Sequence, residues 1–199
     1  MTSTARPRRS ARDRLLEAAN ELFYDEGVQT VGIDRVIERA GVAKASLYNT
    51  FGSKEELVQA YLESRHAGTL ARLTAAIEEH TDPTARIFAV FDAQADIVSQ
   101  PSFRGCAFMS ASAEAPPGGM IEDAVQSYRA DLRDVFVGLA KDAGAPDPIR
   151  LGRQLHLVYD GVIIAAQMDR DPSIAAAARA AVGELLTAAS SSTVGGDER

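Results

Sequence analysis

The stretch from Val31 to Leu57, VGIDRVIERAGVAKASLYNTFGSKEEL, constrains this chain more than any other. Ile33, Val36, Ile37 and Ala40 recur at helical spacing, Gly41 interrupts the pattern, and a second helical run begins at about Lys44. Glycine enters the left-handed conformation without the penalty a Cβ brings, so two short helices joined at Gly41 must cross at a steep angle. Val42 plugs that angle from inside. Leu47 and Phe51 on the second helix then join the apolar face of the first against an earlier helix. That earlier helix starts after Ser10, a capping residue, repeats Leu15, Leu16, Ala19, Leu22 and Phe23 at spacings of three and four, and ends at Gly27.

The rest of the chain reads with helical period as well, and nothing reads as a strand. Ser53 with Glu56 has the spacing of a capping box and opens a fourth helix, whose stripe of Leu57, Tyr61, Leu62, Leu70, Leu73 and Ile77 runs to about His80. Asp82–Pro83, Asp147–Pro148 and Asp171–Pro172 are helix-start pairs, because proline suits the first helical turn. A short segment rich in small residues covers Gly105 to Ala115, Pro116 to Gly119 form a loop, and a long amphipathic helix follows from about Ile121 to Ala143. The expected fold is all-α with about nine helices, three in a head and six in a larger body. The expected organisation is a disordered basic arm over 1–9, a head over 10–60, a body over 61–189 and a disordered tail over 190–199.

The formal net charge of −7 is unevenly distributed. Residues 1–61 hold nine Lys and Arg against nine Asp and Glu, whereas residues 62–199 hold twelve against nineteen, so all of the excess acidity lies in the body. Arg6, Arg8, Arg9, Arg12 and Arg14 stand against Asp13 alone in the first fourteen residues. A basic arm feeding a neutral head is compatible with phosphate contact, and an acidic body points away from a polyanion. Alternatively the arm is merely solvated. No apolar run reaches the length needed to span a bilayer, and no hydrophobic stretch follows the early arginines, so the expected compartment is the cytoplasm, without a membrane partner. The one cysteine, Cys106, excludes an internal disulfide and cannot by itself build a thiolate metal site.

The outward face of the second short helix carries Lys44, Ala45, Ser46, Tyr48, Asn49 and Thr50, small or polar residues without a carboxylate. Entry into a DNA major groove needs these properties: close approach, hydrogen-bonding side chains for base edges, and no negative charge toward phosphates. Asn49 can pair with adenine, Lys44 can reach guanine or phosphate, and Ala45 can lie against a thymine methyl. Lys54, in the first turn of the next helix, can meet phosphate beside free backbone N–H groups.

The run from Gly27 through Leu57, with its Ala40-Gly41-Val42 turn, Leu47-Tyr48 and Phe51-Gly52-Ser53-Lys54-Glu55-Glu56-Leu57, resembles the N-terminal domain of the TetR family of bacterial transcriptional regulators. The resemblance covers about residues 10–60. It implies that Tyr48 and Lys54 contact phosphate, that Thr30 touches the DNA backbone at the entry to the motif, and that Lys44, Ala45, Ser46 and Asn49 lie on the recognition face. In one respect the chain departs from the family pattern: Ala43 stands where Ser or Thr often caps the recognition helix.

The resemblance further implies a helical body that dimerises through its last two helices and encloses a small-molecule cavity. Leu151, Leu155, Val158, Val162 and Ile163, with Ile174, Ala178, Ala181, Val182 and Leu185, supply two apolar stripes able to build a four-helix bundle between two chains. The same stripes can instead complete the core of one subunit. Phe88, Phe91, Phe108, Met109, Tyr128 and Tyr159, interspersed with Gln94, Ser112, His156 and Asp160, have the mixture of apolar wall and polar handle that a ligand pocket needs. Of these, Phe88, Phe91, Phe108, Met109, Ser112, Tyr128, His156 and Tyr159 are the candidate ligand contacts. The expected function is a homodimeric repressor of double-stranded operator DNA, released by a small apolar or amphipathic effector. The alternative is a dimeric regulator without an effector. His66, His80, His156 and Cys106 show no catalytic or metal-ligand spacing, so neither an enzyme, a metal nor a cofactor is expected.

Overall fold

The computed structural model describes residues 9–191. The expected arm and tail therefore lie outside the described residues, apart from Arg9, Ser190 and Ser191. Among the described residues there are nine helices and no strand. The chain divides into two compact units, one made of 9–65 and 107–124 and the other of 66–106 and 125–191.

In the first unit, α1 (Ala11–Glu26) opens on a reciprocal cap: Ser10 Oγ accepts from the Asp13 N–H at 3.1 Å and the Asp13 carboxylate accepts from the Ser10 N–H at 3.3 Å. It stops at Gly27, whose φ of 92° only glycine adopts readily. α2 (Ile33–Ala40) ends at Gly41 in the left-handed region, φ 63° and ψ 44°, where the Gly41 and Val42 N–H groups donate back to Glu38 and Ile37 carbonyls. α3 (Lys44–Phe51) and the first part of α4 (Lys54–Glu78) follow. Ser53 caps α4, its Oγ accepting from the Glu56 N–H at 3.1 Å.

The core of this unit follows the predicted periodicity, except that Leu16, Ile33 and Ile37 are only half-buried. Leu15, Ala18, Ala19, Leu22 and Phe23 of α1 are buried with Val36 and Ala40 of α2, Leu47 and Phe51 of α3, and Leu57, Val58, Tyr61 and Leu62 of α4. Burying each large apolar side chain contributes about 1.5–3 kcal/mol, so this small helical core holds the α2–α3 angle without a disulfide or metal. α6 (Ala107–Glu114) belongs to the same unit, and its Ala107, Phe108 and Ala111 are buried.

In the second unit, α5 (Pro83–Val98) is capped by Asp82 and α8 (Pro148–Asp169) by Asp147, each with proline in the first turn. α8 packs along α9 (Ser173–Ser191), and α5 packs on both. α7 (Met120–Asp142) approaches α8 so closely that a Cβ at Gly152 would sit 2.8 Å from the Val137 backbone nitrogen. Leu151, Leu155, Val162, Ala178 and Val182 are buried within this unit. Much of the stripe expected to meet a second chain thus packs inside the subunit. A different face of α8 remains open: Ile149, Leu157, Ile164 and Met168 are exposed, Leu157 by 69% and Met168 by 77%.

At the α3 N-terminus the N-cap residue is Ala43, with no side-chain hydrogen bond to the helix. Replacing Ala43 by Ser should restore a cap and raise unfolding stability by about 1 kcal/mol. A urea midpoint unchanged or lowered in Ala43→Ser would show that the turn does not present this residue to the helix end.

Candidate nucleic-acid interface

Three features orient α3 within the first unit. Leu47 and Phe51 anchor its inner face, the left-handed Gly41 sets its angle to α2, and the Arg14 guanidinium of α1 donates to the Gly41 carbonyl at 3.0 Å. Arg12 lies over the Phe51 ring at 5.6 Å, and Arg9 pairs with Glu17. Of the five N-terminal arginines, Arg6 and Arg8 lie outside the described residues. Arg14 is committed to holding the turn rather than to a solvated arm, because a carbonyl at a helix C-terminus attracts a cation.

With its inner face anchored, α3 turns Lys44, Ala45, Tyr48, Asn49 and Thr50 outward; Tyr48 is 46% exposed and Ser46 is half-buried. A phenol left this open on a helix otherwise free of large exposed apolar groups is available to a partner. Thr50 Oγ1 donates to the Ser46 carbonyl at 2.6 Å, which leaves Asn49 the side chain on this face best able to read a base edge. Thr30 is exposed in the loop between α1 and α2, and Lys54 is half-buried in the first turn of α4.

One contact was not legible from α3 alone. Asp34, in the first turn of α2, accepts from Lys44 Nζ at 3.0 Å, and this hydrogen bond with the carboxylate charge raises the Lys44 pKa. The face expected to be free of carboxylates therefore has one beside its lysine. Both partners are exposed, so solvent screens the pair and a phosphate can replace the carboxylate at little cost. Arg35 with Glu26 and Arg39 with Glu21 tie the outer side of α2 to α1 in the same manner.

The residues expected to contact a ligand are distributed over both units. Phe108, Met109 and Ser112 lie on α6 in the first; Phe108 is buried, whereas Met109 and Ser112 are exposed. Phe88, Phe91, Tyr128, His156 and Tyr159 lie in the second. There Phe91, Tyr159 and His156 gather around Phe136, with ring centroids 5.5–6.0 Å from it. Tyr128 sets its ring edge-on to His66 at 5.5 Å, and Phe88 lies apart, under the Arg179 guanidinium at 4.5 Å.

Buried polar groups border the aromatic cluster. Gln94 Nε2 donates to the Tyr159 carbonyl at 2.8 Å while its Oε1 is buried without a hydrogen-bond partner. His156 Nε2 is likewise buried and unpartnered, 3.6 Å from Asp160 Oδ1, which itself belongs to an ion pair with Arg129 at 2.8 Å. Burial pushes the His156 pKa down, against the pull of Asp160, and pushes the Tyr128 and Tyr159 phenols up, so all three rings are held uncharged. Among the described residues no three His, Cys, Asp or Glu side chains gather in a way that could hold a metal ion, and no helix is long and apolar enough to cross a membrane.

Comparison with known proteins agrees with this geometry. Residues 15–61 match the model of bacterial regulatory proteins of the tetR family. The HTH-type transcriptional activator FasR of Mycolicibacterium smegmatis is 36% identical over 96 residues, which span 48% of this chain and 44% of the relative, so less than half of that relative is matched. The HTH-type transcriptional repressor KstR2 of the same organism is 23% identical over 150 residues, 75% of this chain and 73% of its own. A TetR-family transcriptional regulator from Streptomyces coelicolor superimposes with a TM-score of 0.85 at 35% identity, over 90% of this chain and 96% of its own. A helix-turn-helix head with an open polar face, carried on an all-helical chain that matches this solved regulator over nearly its whole length, identifies the protein as a DNA-binding transcriptional regulator of the TetR family.

Proposed function

We propose that the chain is a cytoplasmic, homodimeric repressor that binds operator DNA through α3 and its flanks and is released when a small apolar or amphipathic molecule occupies the second unit. Residues 10–60 serve as the DNA-binding domain, and 61–189 serve dimerisation and effector binding. The observation that carries the reading is the outward face of α3, held rigidly from behind by Leu47, Phe51 and the Arg14–Gly41 contact. Thr30, Tyr48 and Lys54 take the positioning contacts to phosphate, and Lys44, Ala45, Ser46 and Asn49 face the bases. KstR2, matched over most of both chains, is named as a repressor, whereas FasR, matched over less than half of its own length, is named as an activator.

Dimerisation draws support from the exposed face of α8. Ile149, Leu157, Ile164 and Met168 recur at helical intervals beside an α9 whose exposed residues include Ala176, Ala177 and Ala180. Small residues let helices of two chains approach closely, and a stripe of large apolar groups facing water is costly without a cover. Effector control draws support from Gln94 Oε1 and His156 Nε2, two buried polar atoms without partners at an aromatic cluster. Each costs about 1–3 kcal/mol when unsatisfied, and a ligand bearing a hydrogen-bonding group among apolar surface would recover part of that.

DNA fragments selected from a random pool by the purified protein give the operator. On that operator, Tyr48→Ala with Lys54→Ala should weaken binding to all sequences together by at least tenfold, whereas Asn49→Ala should relax preference at one base pair by about 1–3 kcal/mol. Undiminished binding by the double variant, read by fluorescence anisotropy, would contradict the docking mode. Leu157→Glu with Met168→Glu should convert the dimer to monomer in sedimentation, since a carboxylate cannot be buried unpaired; a dimer that persists places the interface elsewhere. In a thermal-shift screen, an uncharged aromatic compound that raises the melting temperature should also release the operator, and both effects should shrink in His156→Ala. Stabilisation without release would favour a regulator without effector control.

A further inference from the structure

We infer that Glu114, the last residue of α6, is a positioning residue for the DNA-contacting loop between α1 and α2, an inference that rests on the operator-binding reading above. The loop over 27–32 is weakly closed by its own backbone. Its internal bond, Val31 N–H to the Gly27 carbonyl, is 3.4 Å long, and so is the next, Val36 N–H to the Gly32 carbonyl. α2 is N-capped by Gly32 with no side-chain hydrogen bond, and the exposed Thr30 lies inside the turn that the first of these long bonds closes. Against them, the Gln29 N–H donates to Glu114 Oε2 at 2.7 Å. A carboxylate accepting from a backbone N–H makes a charge-assisted bond, shorter and stronger than one between neutral groups.

The surroundings are shaped around this carboxylate. A Cβ at Gly27 would stand 2.7 Å from Glu114 Oε1 and 3.1 Å from Oε2, so Gly27 provides both the turn, at φ 92°, and the space into which the carboxylate packs. Glu114 is presented by a helix anchored by side chains of its own, because Ala107, Phe108 and Ala111 of α6 are buried. A negative charge in the last turn is unfavourable for α6 itself, since the carbonyl end of a helix carries partial negative charge. Its placement is accounted for by what it does for the loop. Fixing Gln29 fixes Thr30 and the entry of α2, and through α2 the angle at which α3 is presented.

The test uses the full chain and its selected operator. Glu114→Ala should weaken operator binding by about tenfold, in the range expected of a lost charged hydrogen bond, and should speed amide hydrogen exchange at Gln29. Glu114→Gln, which keeps an acceptor oxygen, should regain most of the affinity even if Glu114→Ala melts early. Combining Glu114→Ala with Thr30→Ala should cost no more affinity than the worse single change, whereas a general loss of structure would add to it. Wild-type binding matched by Glu114→Ala, an unchanged Gln29 amide, or fully additive losses would each overturn the inference alone. Failure of the wild-type chain to retain any DNA fragment would instead overturn the operator reading and this inference with it.

Discussion

The left-handed turn at Gly41 is the constraint on which the head depends. A residue with a Cβ at φ 63° and ψ 44° is disfavoured, and without that conformation α2 would not end and α3 begin within a few residues. The turn is supported from three sides. The Gly41 and Val42 N–H groups close the α2 end, Arg14 donates to the Gly41 carbonyl from α1, and Leu47 and Phe51 fill the inner angle. The outward side of α3 contributes little to this core. Its residues are therefore not constrained by packing, which is how one scaffold can carry different outer faces.

Charge in this protein is arranged for exchange rather than for stability. Lys44 with Asp34, Arg35 with Glu26 and Arg39 with Glu21 are exposed pairs, and solvent screening leaves each of them a small part in holding the fold. The cation at the edge of α3 can thus leave its carboxylate for a phosphate at low cost. In the second unit the opposite logic applies. Arg129 and Asp160 neutralise each other beside rings that burial holds uncharged, while the Arg72 guanidinium hydrogen-bonds the Tyr159 phenol, so the cluster around Phe136 offers neutral hydrogen-bonding atoms with a cation beside them.

How far the sequence could be read depended on whether the relevant forces were local. Ser10, Gly27, Gly41, Ser53, Asp82 and Asp147 act within a turn of their own position, and the helices begin and end at or beside the places these residues mark. The absent cap at Ala43 was visible for the same reason. For Leu151, Leu155 and Val162 the sequence leaves open a second chain or the subunit's own core, because periodicity reports that a helix has an apolar face without reporting what covers it. On α8 two faces are apolar; one packs within the subunit, and the other, with Leu157 and Met168, stays open. Arg14 was grouped with a basic arm by composition, although its partner is a carbonyl twenty-seven positions away.

What the sequence alone determined was the all-helical class, the position of the helix-turn-helix, the family and the identity of the residues on the outer face of α3. These follow from spacing, glycine conformation and capping, which act over a few residues. Only the tertiary structure decided that Asp34 meets Lys44, that Arg14 holds the turn at Gly41, that Gln94 and His156 leave polar atoms unpaired in a buried cluster, and that Glu114 reaches the loop at Gln29. Each of these depends on residues distant in the chain, eighty-five positions in the case of Glu114 and Gln29, and is set by how helices pack rather than by how they form.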